Sequence, residues 1–144
     1  MNRIPPIKSV MTPFPHYIEK DRSLDTARAM MTELGIRHLP VMDGDRLASV
    51  ISEREVDLAQ DTVSATASAH DVTVGEIVRH GVYTVELTEP LDVVLLHMAR
   101  EHLDCALVVK EGKLAGIFTS TDASRTFGEL LRDLFPRGGG DEAA

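Results

Sequence analysis

The stretch Leu114-Ala-Gly-Ile-Phe-Thr-Ser-Thr-Asp122 places a short apolar run directly before hydroxyl residues and a carboxylate. The apolar run predicts a β-strand over residues 114–118, and the polar residues predict a helix that opens near Thr121 and Asp122. Thr121 is a favoured N-cap residue, and the helix dipole favours a carboxylate in the first turn. We therefore expect Thr119, at the end of the strand, and Asp122 to converge on one point above this junction.

A hydroxyl beside a carboxylate suits a vicinal diol, such as the 2′ and 3′ hydroxyls of a ribose. Dinucleotide-binding folds place an acidic residue on a ribose for the same reason. The alternative is that Thr119 and Asp122 only cap the helix, which is the commoner role of a Thr-x-x-Asp junction. The motif alone leaves both interpretations open.

The chain contains this unit twice, at a constant spacing of 67 positions (91 − 24). The register needs no gap from about residue 10 to about residue 56, and its matched pairs include Leu24/Leu91, Asp25/Asp92, Met31/Met98, Val41/Val108, Leu47/Leu114 and Ala48/Ala115. A gapless register of this length indicates an internal duplication. Each copy reads as a β-α-β-β-α unit, so we predict an α/β (α+β) fold. Two such small units bury their sheets by packing about a pseudo-two-fold axis.

Turn and cap residues set the expected limits of the elements. The first helix is predicted to begin at Asp21 or Ser23 and to stop at Gly35, and Thr88 is predicted to cap the equivalent helix of the second copy. Pro40 falls inside a predicted strand, which indicates either an edge strand or a register that does not need its missing N–H.

The predicted organisation has four parts. Residues 1–61 form the first repeat with an N-terminal lead-in, and residues 62–71 form a linker rich in Thr, Ser and Ala. Residues 72–135 form the second repeat with a C-terminal helix, and residues 136–144 form a tail that we expect to be disordered.

Composition narrows the classes of function. The chain has 144 residues and a formal net charge of −8, which argues against nucleic acid or an anionic membrane surface as the main partner. It shows no apolar run of membrane-spanning length and no signal-peptide pattern, so we expect a cytoplasmic protein. The single cysteine, Cys105, lies in an apolar run and is expected to be a buried structural thiol. The histidines form no metal motif, and no catalytic motif is present, so we do not expect an enzyme.

The tandem units, the opening Val10-Met-Thr-Pro13 and the segment Gly116-Ile-Phe-Thr-Ser-Thr-Asp122 resemble a pair of CBS (cystathionine-β-synthase) domains, or Bateman module. The resemblance covers roughly residues 5–135. Members of this family are regulatory rather than catalytic. They bind adenosine-containing ligands, such as AMP, ADP, ATP, S-adenosylmethionine or NAD, in clefts between the repeats, and often pair into disc-shaped dimers. The resemblance therefore implies an adenine nucleotide or S-adenosylmethionine as regulatory ligand, and a homodimer.

The resemblance also assigns candidate ligand-binding residues. Thr119 and Asp122 fall on the ribose-contacting positions, and Gly116 and Ile117 precede them. In the first repeat Ser52 supplies the hydroxyl, Glu55 replaces the aspartate and Ser49 replaces the glycine. Further candidates are the basic pair near the phosphates, Arg37 and His38, and the adenine-packing residues Met11 and Thr12.

At the position of Arg37 and His38 the second repeat has Asp104 and Cys105. The repeat with the better ribose-binding pair, Thr119 and Asp122, thus carries the acid Asp104. The repeat with the basic pair, Arg37 and His38, carries the poorer ribose acceptor, Glu55. Opposite and like unit charges at about 4 Å differ by several kcal/mol at an effective dielectric constant near 20. We therefore expect the Thr119/Asp122 cleft to take a nucleoside-like or weakly charged ligand, unless another cation supplies the missing charge. The candidates for that role are Arg54, Arg125, Arg3 and Lys8.

The predicted C-terminal helix carries a wide apolar stripe made of Phe127, Leu130, Leu131, Leu134 and Phe135. The stripe packs either on its own domain or on a neighbouring subunit. Two functions follow as hypotheses. One is a regulatory sensor of an adenosine-containing ligand that acts on an unidentified protein partner. The other is a ligand-free dimerisation or interaction scaffold with vestigial clefts.

Overall fold

The computed structural model describes residues 3–63, 72–79 and 81–138, which form two small sheets flanked by helices. The strands are β1 (Thr12–Pro13), β2 (Ile18–Glu19), β3 (His38–Asp43), β4 (Arg46–Ser52), β5 (Thr84–Glu86), β6 (Cys105–Lys110) and β7 (Lys113–Thr119). The helices are α1 (Leu24–Leu34), α2 (Glu53–Val63), α3 (Val74–Ile77), α4 (Leu91–Glu101) and α5 (Ser120–Leu134). Among the described residues, no helix is long and apolar enough to cross a bilayer.

The two sheets repeat one topology, as the duplication predicts. In the first sheet β3 pairs with β2 in parallel and with β4 antiparallel, and in the second sheet β6 pairs in the same way with β5 and β7. Even the irregularity in the antiparallel register recurs, after Val41 in the first sheet and after Val108 in the second. The mixed α/β fold of two equivalent units is therefore confirmed.

Segments outside each β-α-β-β-α unit complete the core of the other unit. The strand β1 joins the second sheet by pairing with β7, and Ile7 is fully buried against the second core beside Phe118. Val74 of α3 is fully buried in the first core beside Leu24. The lead-in and the segment after α2 thus tie the two halves together. Within the predicted linker, residues 64–71 lie outside the described residues, as do residues 139–144 of the predicted tail.

The start of α1 agrees with the prediction, whereas the start of α4 does not. Ser23 caps α1 by accepting the Thr26 N–H, and Gly35 ends the helix in the left-handed region at φ 65°. Thr88 is not the N-cap of α4, because the helix begins at Leu91 and Pro90 occupies the cap position without a side-chain hydrogen bond. The Leu91 N–H instead donates to the carbonyl of Pro5 at 2.9 Å. The lead-in therefore satisfies a helix N–H that a Thr cap would otherwise serve.

Pro40 lies in a central strand, so the edge-strand interpretation is wrong. The strand β3 is flanked on both sides, but β2 pairs with it only at Val41 and Met42. At the equivalent position of the second repeat, the Leu107 N–H donates to the Tyr83 carbonyl at 2.9 Å. Pro40 has no such donor, and β2 accordingly begins one position later in its repeat than β5 does.

A third apolar cluster lies between the two halves. Its buried members are Cys105, Leu107 and Ile117, and residues such as Val50 and Leu47 from β4 pack against them. Because β4, β6 and β7 all contribute to this cluster, the strands that lead into α2 and α5 lie close to the contact between the repeats. Both strand–helix junctions are thereby placed near the pseudo-two-fold axis.

Candidate functional site

Thr119 is the last residue of β7 and directly precedes α5. Thr119 is the N-cap, with an extended backbone at φ −109° and ψ 169°, and its hydroxyl accepts the Asp122 N–H at 3.3 Å. The helix starts at Ser120, so the assignment of Thr121 as N-cap is wrong. The physical reason lies in the hairpin: β7 stays paired with β6 through Cys105 and Thr119, which holds Thr119 in the extended conformation.

Thr119 and Asp122 do converge, and they do so by bonding each other. The backbone N–H and the hydroxyl of Thr119 donate to Oδ2 of Asp122 at 2.9 and 3.2 Å. Arg125 donates to Oδ1 of Asp122 at 2.9 Å, and Asp122 is only 6% exposed. Three of the roughly four acceptor positions of this carboxylate are therefore filled. The helix-capping role is realised, and one acceptor position has no hydrogen-bond partner among the described residues.

The first repeat builds the same capping box with a longer acid. The backbone N–H and the hydroxyl of Ser52 both donate to Oε1 of Glu55 at 3.0 Å, and the Glu55 N–H donates back to Ser52 Oγ at 3.1 Å. The extra methylene of Glu55 therefore does not prevent convergence. Within the described part of the chain no cation pairs with Glu55, in contrast to the Arg125–Asp122 pair of the second repeat.

The position before each junction differs between the repeats. Gly116 lies under Met11, and a side chain at position 116 would collide with the Met11 side chain and approach the Thr12 carbonyl at 3.0 Å. In the first repeat Ser49 occupies this position, is 4% exposed and donates to the Arg79 carbonyl at 2.7 Å. Gly116 and Met11 thus pack beneath the junction and line neither cleft, whereas Thr12 and Ile117 line the first cleft.

The first cleft has a volume of about 1060 Å³ and is shared by both repeats. The second repeat contributes Thr119, Asp122 and Ile117, and the first repeat contributes Arg37 and His38. This arrangement differs from the one expected from the sequence, which placed the ribose pair and the basic pair in different clefts. The two repeats face each other, so the start of β3 in one repeat lies across from the start of α5 in the other.

The charges of the first cleft are mixed. Arg37 and Arg54 both line it, and within the described part of the chain neither guanidinium has a hydrogen-bond or ion-pair partner. Asp104, Glu53 and Asp57 line it as well, and Asp57 is paired with Arg28. Of the cations proposed to supply the missing charge, Arg54 lies in the cleft. Arg125 is engaged by Asp122, and Arg3 and Lys8 line neither cleft.

The second cleft has a volume of about 620 Å³, and its lining includes Ser52, Glu55, Arg79, Tyr83 and Cys105. Arg79 and Tyr83 are not among the ligand-binding candidates predicted from the sequence. The duplication contained the signal for Arg79, which lies 67 positions after Thr12, a residue of the first cleft.

His38, Ser52 and Asp104 line both clefts and so form the wall between them. Burial lowers the pKa of His38, although Asp104 and Glu55 oppose that change. Burial raises the pKa of the Cys105 thiol to about 12, with Asp104 and Glu55 adding to the rise. Cys105 is therefore a neutral thiol at physiological pH.

The apolar stripe of α5 is not covered by its own domain. Its residues are exposed, at 59% for Phe127, 50% for Leu130, 41% for Leu131, 61% for Leu134 and 71% for Phe135. An amphipathic helix with its apolar face in water lacks the packing that normally stabilises such a helix.

Residues 7–60 and 74–129 each match the family model described as CBS domain. A solved structure from Vibrio cholerae, of a protein whose name refers to acetoin utilization (AcuB), is 25% identical with a TM-score of 0.79, and the match covers 94% of this chain and all of that one. The CBS domain pair of protein MJ0100, solved with 5′-methylthioadenosine and S-adenosyl-L-methionine, is 26% identical with a TM-score of 0.76, covering 89% and 99%. Hypoxic response protein 1 of Mycobacterium tuberculosis is 28% identical over 109 residues, which is 75% of each chain.

Proposed function

Because the chain belongs to the CBS domain family, with two copies of the domain in tandem, we propose that it is a regulatory module rather than an enzyme. Its ligand is an adenosine-containing molecule bound in the cleft between the repeats. The observation that supports this most is the composition of the first cleft, where Thr119 and Asp122 share about 1060 Å³ with the guanidinium groups of Arg37 and Arg54, which have no partner within the described part of the chain.

Each part of such a ligand has a matching group in this cleft. The open acceptor position of Asp122 suits a ribose hydroxyl, and the Thr119 hydroxyl lies beside it. Arg37 and Arg54 suit a negatively charged group at the 5′ end, since guanidinium binds phosphate and carboxylate in a bidentate manner. An adenine nucleotide or S-adenosylmethionine carries such a group. The MJ0100 domain pair, solved with S-adenosyl-L-methionine and 5′-methylthioadenosine, supports the adenosine class.

Calorimetry on wild type and on Asp122→Asn tests this function. Asp122→Asn keeps the size of the side chain but removes one of its oxygens and its charge. We expect AMP or S-adenosylmethionine to bind the wild type, and the variant to bind at least tenfold more weakly at a temperature where it is folded. The matched control is Glu55→Gln, the same change at the equivalent position of the first repeat, which lines only the second cleft. Equal affinity of wild type and Asp122→Asn would refute the ribose site.

The exposed stripe of α5 favours a second function, that of an interaction scaffold. We propose that the stripe pairs with that of a second copy, which gives a homodimer whether or not a ligand is bound. In the scaffold alternative the clefts are vestigial, and no adenosine compound binds. In the sensor, ligand binding changes the packing of the two halves and so the surface offered to an unidentified protein partner. Calorimetry with the adenosine compounds separates the two functions.

A further inference from the structure

Phe14 is 91% exposed, the highest value among the exposed large hydrophobic residues that the structure describes, and it lines the first cleft. A phenylalanine left in water loses the stabilisation that its burial would bring. The neighbours Pro13 and Pro15 line the same end of the cleft, as does Ile117. This end combines apolar residues with the polar Thr12 and His16, and it carries one large aromatic ring that packs on little of the protein.

The backbone holds Phe14 in this position. Its φ is 48°, a left-handed conformation that is rare for a bulky residue. The other described non-glycine residues with positive φ have ordinary reasons for it, since His102 ends α4 and Glu111 lies in the β6–β7 turn. Phe14 has neither role. It stands between two prolines, and its N–H donates to the Ala115 carbonyl at 3.1 Å.

Pairing of β1 with β7 fixes where the backbone of Phe14 lies relative to Thr119. Thr12 is opposite Ile117 and Pro13 is opposite Gly116, so Phe14 continues past the paired residues toward Ala115. Thr119 follows Ile117 at the other end of the same strand. A ligand whose ribose meets Thr119 and Asp122 can therefore extend its base along Ile117 toward Phe14, and its charged group toward Arg37.

We propose that Phe14 is the base-stacking residue of the first cleft, with its ring covering the purine of the bound ligand. This inference rests on the proposed function and adds a residue that contacts the base to it. Stacking on an aromatic ring is favourable for any planar base, so this contact adds affinity for the purine. The proline-flanked backbone and its hydrogen bond to Ala115 hold the main chain of Phe14 at the cleft before the ligand arrives, so binding has to order only the side chain.

The test compares Phe14→Ala with Arg37→Ala, using adenosine and AMP as probes in calorimetry. Phe14→Ala should weaken both probes by the same factor, about tenfold, because it removes a contact to the base that the two share. Arg37→Ala should weaken AMP much more than adenosine. Leu96→Ala, which changes an exposed apolar residue of α4 outside both clefts, should leave both affinities unchanged.

A second variant gives a direct signal. The chain has no tryptophan and two tyrosines, so Phe14→Trp introduces a single tryptophan, whose emission is distinct from that of tyrosine, at the proposed stacking position. Its emission should be quenched on saturation with AMP, while the emission of Leu96→Trp, at an exposed position outside both clefts, should not change. Wild-type affinity in Phe14→Ala, or unchanged emission in Phe14→Trp at saturating AMP, would overturn the stacking role and leave the adenosine site intact. Absence of binding to the wild type would overturn both proposals.

Discussion

Arg125 donates to Oδ1 of Asp122 at 2.9 Å, from the turn of α5 that follows the capping box. The Arg125 side chain is half exposed, whereas the Asp122 side chain is 9% exposed. The ion pair therefore lies at the boundary between the protein interior and water, where the cation is well solvated. The guanidinium of Arg125 therefore already balances the charge of the Asp122 carboxylate before a ligand binds.

The first prediction concerns Arg125→Ala. We expect the free energy of unfolding to fall by less than about 1 kcal/mol, because solvent screens a half-exposed ion pair. Affinity for AMP should stay within a fewfold of wild type, since Thr119 still holds Asp122 in place. Chemical denaturation and calorimetry measure the two quantities. A loss of AMP affinity as large as that of Arg37→Ala would instead place Arg125 at the phosphate.

The second prediction concerns the glycine beneath the junction. Gly116→Ala should lower the free energy of unfolding by about 1–3 kcal/mol, since the new methyl group meets the Met11 side chain and the Thr12 carbonyl. Gly128→Ala is the matched control. Gly128 is in α5 with no atom within 4 Å of an added Cβ, so this change should stabilise the helix by up to about 1 kcal/mol. Equal effects of the two changes in thermal unfolding would contradict the close packing at Gly116.

The sequence allowed the repeated unit and most of its elements to be predicted, because their signals are local. Ser23, Gly35 and the spacing of Leu24, Ala27 and Met31 predict α1 without knowledge of the rest of the chain, and the structure buries these three apolar residues. The error at Thr121 has a different origin. Thr119 and Thr121 are equally good caps as residue types, and the choice between them depends on pairing of β7 with β6.

The composition of the first cleft was not predictable from the repeat. A spacing of 67 positions tells which residues are equivalent, such as Arg37 and Asp104, but not which residues lie across from each other. Only the packing of the two halves brings Arg37 and Arg54 to Thr119 and Asp122. In the same way, the exposure of Phe14 follows from a backbone conformation that its sequence neighbours alone do not specify.

The third prediction concerns Cys105. Burial raises the pKa of its thiol to about 12, so the reactive thiolate is scarce at pH 8. We expect alkylation by iodoacetamide to be at least 100-fold slower in the folded protein than in denaturant, where one equivalent should react. Mass spectrometry over time measures both rates. Rapid alkylation of the folded protein would show that Cys105 is accessible from the second cleft, which it lines.

The fourth prediction concerns the stripe of α5. Leu130→Glu places a charge at the centre of the exposed apolar face and should shift the protein from dimer to monomer in sedimentation experiments. Leu96→Glu is the control, because Leu96 is 62% exposed but belongs to α4. A wild-type protein that is monomeric at micromolar concentration would contradict the proposed pairing.

The last prediction follows from His38, which lines both clefts. Burial lowers its pKa below the usual 6.5; Arg37 adds to this effect, while Asp104, Glu55 and Glu53 oppose it. The unfolded chain therefore binds a proton at this residue more readily than the folded one. Protonation of His38 therefore does not reduce the free energy of unfolding above pH 6.5, but it does so as the pH falls from 6.5 through the lower pKa of the folded state.

Urea unfolding at pH 7.5 and 5.5 should show this loss of stability, at most about 1.4 kcal/mol per pH unit. His38→Gln should reduce the pH dependence. The same pH dependence in His38→Gln as in wild type would assign the effect to other groups.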